Sequence, residues 1–168
     1  MSLTHREFWM MVHLGLGVMF LHTFFEGILW LHTGERLRRL RIGTGVMALV
    51  AWLTVVSGTW LVYPWYRAKP PAGADLADYP RAYLLANPSI SQWHIFGMEW
   101  KEHVGWLSPI LATAVAWTVL RYGGQLARDR RLRQVLLVLF VAAFTTAGIA
   151  GALGAFINKV APNTFLDG

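Results

Sequence analysis

The chain has 168 residues, of which 55% are hydrophobic and only 14% are charged, and its mean hydropathy is +0.42. Soluble domains usually carry about a quarter charged residues, so this composition is typical of a membrane protein. No cysteine is present, which excludes disulfides, thiolate metal sites and covalent c-type haem attachment. The net charge of +6 comes largely from arginine clusters that adjoin apolar runs, which favours a membrane over nucleic acid as partner.

Four apolar segments follow one another along the chain, at about 8–32, 42–63, 103–121 and 134–157. Each meets the requirement of roughly 20 residues for a spanning helix, within the usual tolerance for tilt. No small-residue cleavage pattern follows the first segment, so we interpret it as a retained span and not as a signal peptide. The sequence predicts an all-α integral membrane protein, with one domain over 1–168 and four transmembrane helices in an up-down bundle.

The connections between the spans differ in charge, and this difference predicts an orientation. Loops 33–41 and 122–133 are short and rich in arginine, whereas the 64–102 connection is long and charge-balanced. Basic loops stay on the cytoplasmic side of membranes. We therefore expect a protein of the plasma (inner) membrane, with both arginine loops in the cytoplasm. Both termini and the long extramembrane loop between helices 2 and 3 are expected outside.

The first span contains His13 and His22, which are nine residues apart. In a helix this spacing is two and a half turns and about 13 Å along the axis, so the two cannot ligate one metal. His22 shares a face with Glu26, and ionisable groups in hydrocarbon usually face protein. We expect this face to contact protein, as part of a proton path, a quinone site or a subunit interface.

The long connection begins with the aromatic run 63–66 and continues through prolines, with a short helix expected over Asp75–Ala86. The third helix is expected to extend from about 91 to 122, with a kink at Pro109. In the fourth span small residues recur every three or four positions, which predicts close helix packing. These residues are Ala147, Gly148, Gly151, Gly154 and Ala155.

A haem with two histidine ligands needs two neutral imidazoles, from different helices and at a similar depth. His13 and His103 meet this condition under the predicted orientation. Gly17, one turn from His13, leaves room for a flat macrocycle, Trp100 offers a hydrophobic wall, and Arg67 can meet a propionate. The pattern predicts one haem b near the outer face, with His13 and His103 as iron ligands.

In span count, size and histidines on two spans, the chain resembles the four-helix membrane anchors of respiratory enzymes that carry b-type haem. The resemblance implies electron transfer to or from quinone beside a catalytic partner subunit. The leading prediction is therefore a non-catalytic membrane subunit of a respiratory or photosynthetic electron-transfer complex. Its expected partners are the lipid bilayer and other subunits, and not nucleic acid. The chain departs from the family pattern at His22, which has no histidine partner.

Two other functions are open from the sequence. The first is a structural or assembly subunit of a larger membrane complex, without a cofactor. The second is a non-haem metal site, since Glu99 and His103 at i and i+4, with Glu102 adjacent, supply oxygen and nitrogen donors. His94 is a further candidate ligand for that site. A soluble-type enzyme has little support, because no nucleophile motif and no phosphate-binding glycine loop occurs.

Overall fold

A computed structural model describes residues 4–33 and 37–161 of the chain. The termini 1–3 and 162–168, and residues 34–36 of the first predicted arginine loop, lie outside the described residues. The described part is helical and contains no strand. It has six α-helices: α1 His5–Thr33, α2 Leu37–Ser57, α3 Tyr63–Tyr66, α4 Pro80–Ala86, α5 Glu99–Tyr122 and α6 Arg130–Val160. The π-helical segments Gly58–Val62 and Trp93–Met98 join α2 to α3 and lead into α5.

Four helical stretches in the described residues are long and apolar enough to cross a membrane, which confirms the four predicted segments by length and composition. They are His5–His32, Leu37–Tyr66, Trp93–Gln125 and Arg130–Val160. Each stretch is longer than the apolar run that predicted it. The helices continue through charged residues at their ends, where hydropathy falls but backbone hydrogen bonding does not.

The predicted extramembrane loop 64–102 is helical at both ends: α3 ends at Tyr66, and the helical stretch that leads into the third span begins at Trp93, close to its predicted start at about 91. Residues 67–92 form the connection itself, and they contain a 3₁₀ turn, Leu76–Asp78, followed by α4. The expected short helix over Asp75–Ala86 is therefore present in two pieces. Asp75 caps the first piece, since its side chain accepts a hydrogen bond from the backbone N–H of Ala77 at 2.9 Å.

Each long helix packs against the next one in the chain, and α1 also meets α6 along a smaller contact. The end of the bundle that carries α3, α4 and the start of α5 is called the loop end below. The opposite end, with the arginines of α2 and α6, is called the arginine end. Most of the core lies towards the arginine end, where Met47, Val115 and Phe140 are fully buried. Phe24 and Phe144 stack there at 4.3 Å between ring centroids.

A second, smaller core lies at the loop end. Tyr66, Leu84, Met98 and Ile157 are buried together there, so that α3, α4, the start of α5 and the end of α6 meet in one place. The folded connection is therefore attached to the bundle by apolar packing and does not simply cross over it. This core holds the polar side chains of the loop end in fixed positions.

Candidate functional site

His13 of α1 is bound against α2. Its Nδ1 lies 3.0 Å from the carbonyl oxygen of Thr54 and 3.1 Å from the hydroxyl of Ser57. A carbonyl can only accept, so Nδ1 carries the hydrogen in that contact and Nε2 is left as an acceptor. The ring fits against Gly58, where an added Cβ would come within 2.8 Å of the ring atom Cε1. The imidazole therefore packs against the second span where its side chains are small and its backbone is π-helical.

His103, the predicted partner of His13, points away from the bundle. Its side chain is exposed, and its Nδ1 lies 2.6 Å from the carbonyl oxygen of Glu99 in its own helix. The structure therefore does not bring the two imidazoles together. A haem held by both of them within one chain does not fit this geometry.

Two of the other residues predicted around the haem, Trp100 and Arg67, are exposed. Trp100 is half exposed and lies next to Phe96 on the outside of the bundle. Arg67 is exposed, with its guanidinium carbon 5.3 Å from the centre of the Tyr63 ring. Gly17 leaves open space beside α1, as a flat macrocycle would need, since nothing lies within 4 Å of a Cβ built there. The exposed Trp100 and Arg67 side chains do not by themselves enclose a pocket.

The predicted non-haem metal site is not formed. Glu99 and His103 are exposed, whereas Glu102 is half-buried and His94 is buried. Among the residues that the structure describes, no group of three histidine, aspartate or glutamate side chains could hold a metal ion. Glu99 and His103 lie one turn apart on an exposed face, whereas His94 is buried on another side of the segment, so the four side chains do not converge.

His94 belongs instead to a buried hydrogen-bond network. Its Nδ1 lies 2.9 Å from the hydroxyl of Tyr66, and Arg81 Nε donates to its Nε2 at 3.2 Å. Arginine has no acceptor, so Nε2 must accept, and Nδ1–H therefore donates to the tyrosine oxygen. The network joins the end of the second span, α4 and the start of the third span.

His94 is buried whereas His103 is exposed, so the two histidines lie on different sides of the same helical stretch. The two partners of His94 were not predicted, because Arg81 lies in the connection and Tyr66 belongs to the aromatic run at its start. Only the tertiary fold of the connection brings these side chains to the histidine.

Two further ionisable side chains lie beside this network. Tyr63 and the Glu102 carboxylate lie near each other. The carboxylate oxygen Oε1 is buried and has no hydrogen-bond partner among the described residues. Lys101 lies across Gly154 of α6, where an added Cβ would come within 3.2 Å of the lysine Cε. Polar side chains at the loop end thus link three of the four long helices.

His22 and Glu26 lie elsewhere, on the outside of α1. His22 Nε2 is 3.5 Å from Glu26 Oε1, and the two side chains are 74% and 43% exposed. His22 lies near the middle of the 29-residue helix, and Glu26 lies one turn closer to its C-terminal end. The expectation that this face contacts protein is therefore not met by the chain's own bundle.

The two polar sites differ in what they can do. The loop-end network is internal and hydrogen-bonded, so it can hold the helices and the connection in register. The pair of His22 with Glu26 is external, so it can bind another polypeptide. Comparison of the chain with protein family models, with curated proteins and with solved structures gave no match. The function therefore has to be inferred from these residues and their geometry.

Proposed function

We propose that this chain is a structural subunit of a larger membrane complex, which crosses the bilayer four times and binds a neighbouring polypeptide through α1. The observation that carries the proposal is the exposed pair of His22 with Glu26 inside a spanning helix. Placing a charged side chain at the centre of a bilayer costs about 2.5–3.5 kcal/mol on insertion scales. A neighbouring helix that covers the pair removes most of this cost.

The charge distribution supports one orientation for this subunit. The arginines of the first turns of α2 and α6 lie at the same end of the bundle: Arg38, Arg39, Arg41, Arg130, Arg131 and Arg133. By the positive-inside rule this end faces the cytoplasm and the loop end faces outward across the plasma membrane. His22 then lies near the bilayer midplane, where the bilayer offers it no hydrogen-bond partner.

The loop-end network supports a structural role as well. The side chains of Tyr66, His94 and Arg81 are hydrogen-bonded to one another. Such a network fixes the relative positions of the helices that carry it. Electron transfer through a b-type haem, with quinone contact, stays the other prediction from the sequence. Of the two predicted ligands only His13 faces the bundle interior with Nε2 as an acceptor. A haem there needs a second ligand from another chain.

The test is the mass of the assembly purified from native membranes in a mild detergent. We expect native mass spectrometry to give a defined species heavier than the 18.9 kDa chain. The double variant His22→Leu/Glu26→Leu is expected to shift the protein towards the single chain, because the polar contact is lost. His103→Leu, which changes an exposed histidine on another helix, is the matched control and should leave the mass unchanged.

Two results contradict the proposal: a wild-type protein that is a single chain in every mild detergent, or a double variant whose assembly is intact. A reduced-minus-oxidised spectrum of the same preparation tests the alternative. An α-band of b-type haem that disappears in His13→Ala and persists in His103→Ala would support electron transfer, with a ligand from a second chain.

A further inference from the structure

One exposed face of α1 presents residues at alternating spacings of four and three, which are the spacings of the a and d positions in a coiled coil. These positions are Met11, Gly15, Val18, His22, Phe25 and Leu29, and they are called the α1 seam below. All six are exposed, and the side chains of Val18 and Phe25 are 66% and 61% exposed. A repeat of 3.5 residues is the one that lets two helices stay in contact along a left-handed crossing.

The seam has one small position and one polar position. Nothing lies within 4 Å of a Cβ built on Gly15, so a second helix can approach the backbone there. His22 is the single polar side chain of the seam, two turns further on. A single polar residue at an a position fixes the register and the number of helices that associate. The rest of the seam is apolar, and lipid could cover it.

We infer that the α1 seam binds the α1 seam of a second copy of this chain, in a parallel pair in which His22 of each copy meets His22 of the other. The inference rests on the proposed function and names the neighbouring polypeptide. A neutral imidazole donates through one nitrogen and accepts through the other, so two histidines can bond to each other. In that bond one imidazole donates and the other accepts, so one N–H remains, on the accepting His22, and the Glu26 carboxylate beside it accepts that hydrogen.

Charge complementarity favours a second copy over an unrelated helix. A two-fold interface uses the same patch on both subunits, so the patch must complement itself. The pair of His22 with Glu26 does so, because it carries a donor and an acceptor one turn apart. Two copies inserted in the same orientation also place these groups at the same depth, without any adjustment of tilt.

The small-residue face of α6 is the main competing surface. Gly148 and Gly151 are exposed, and no atom lies within 4 Å of a Cβ built on either of them. This face has no ionisable side chain between Arg133 and Lys159, so nothing on it selects one partner. It serves as the comparison surface in the test.

The test uses single cysteines, since the chain has none of its own. Val18→Cys in the α1 seam and Val141→Cys on the exposed face of α6 are each oxidised in native membranes with copper phenanthroline. We expect a disulfide-linked product at twice 18.9 kDa for Val18→Cys and only traces of it for Val141→Cys. Both positions are exposed, so neither substitution should disturb folding.

Adding His22→Leu to Val18→Cys is expected to lower the cross-linked fraction about tenfold, the effect of a polar helix contact of 1–2 kcal/mol. Adding His103→Leu should leave it unchanged. Absence of the Val18→Cys product, or an equal product from Val141→Cys, overturns the inference. If the native assembly still depends on His22 and Glu26 while Val18→Cys does not cross-link, the neighbour is a different polypeptide and the proposed function stands.

Discussion

His94 shows how one side chain can organise the loop end. Both of its ring nitrogens are used, by Tyr66 and Arg81, and the residue is only 6% exposed. A buried polar group left without partners costs about 1–3 kcal/mol, and more when it is charged. The imidazole therefore stabilises the connection chiefly by satisfying a guanidinium and a hydroxyl that are already placed beside it.

We expect His94→Ala to lower the free energy of unfolding by about 2–4 kcal/mol, because two hydrogen bonds are lost and a cavity is left. Tyr66→Phe removes only one hydrogen bond and should cost about 1 kcal/mol. Unfolding by sodium dodecyl sulfate, from mixed micelles and followed by circular dichroism, measures both changes. His103→Ala is the control and should stay within about 0.5 kcal/mol of wild type, since its side chain is exposed. Equal effects of His94→Ala and His103→Ala would contradict the network.

At the scale of helices, the sequence predicts the existence of the spanning helices better than it predicts which face of each helix turns inward. Four apolar runs were sufficient to identify four long helices, because length and hydropathy alone decide whether a helix can span. The rotation of α1 was harder to predict, since apolar residues occur on all sides of this helix and its polar face, with His22 and Glu26, lies outside the bundle and not inside it. His13 and His103 could therefore be matched in depth, while the facing directions of the two side chains had to come from tertiary packing.

The helix ends and the connection were also harder to predict than the spans. Hydropathy ends where charged residues begin, but α2 and α6 start with arginines and continue without a break. The network of His94 depends on residue 81, which follows the second span by a folded stretch of the connection. No periodicity in the sequence predicts that the connection folds back to bring Arg81 to His94, because the small core around Leu84 positions the connection.

The helices α1 and α6 approach each other closely at Gly27. A Cβ built on Gly27 would lie 2.7 Å from the ring atom Cε1 of Phe140, which is itself fully buried. We expect Gly27→Ala to destabilise the bundle by about 1–3 kcal/mol, the usual cost of overpacking a core. Phe140→Leu frees space at the same place and should recover part of the loss in the double variant.

A double-mutant cycle measured by the same unfolding assay gives the coupling of the two residues. Residues in direct contact couple by about 0.5–3 kcal/mol. We expect the double variant to be more stable than the sum of the two single effects predicts. Gly45→Ala is the matched control, because nothing lies within 4 Å of a Cβ at that exposed position of α2. Additive effects of Gly27→Ala and Phe140→Leu would mean that the close approach of the two helices is absent.

At the scale of the whole molecule, charge and shape are arranged along one axis. The arginines lie at one end of the bundle, and the folded connection with its own small core lies at the other. The exposed pair of His22 with Glu26 is between them, on the flank. When this axis crosses the membrane, the connection lies in water and the pair of His22 with Glu26 lies in hydrocarbon. Only in that arrangement does α1 need a neighbouring helix to cover the pair.

The orientation can be tested with two single-cysteine variants of the cysteine-free chain. Ala72 lies in the connection and Ala127 lies at the arginine end, and both side chains are exposed. By the positive-inside rule, we expect a membrane-impermeant maleimide to label Ala72→Cys in intact cells. Ala127→Cys should be labelled only after the membrane is permeabilised, although its thiol is equally accessible in the folded chain. The reverse pattern would place the arginines outside, and labelling of both cysteines in intact cells would mean that the long helices do not span the bilayer.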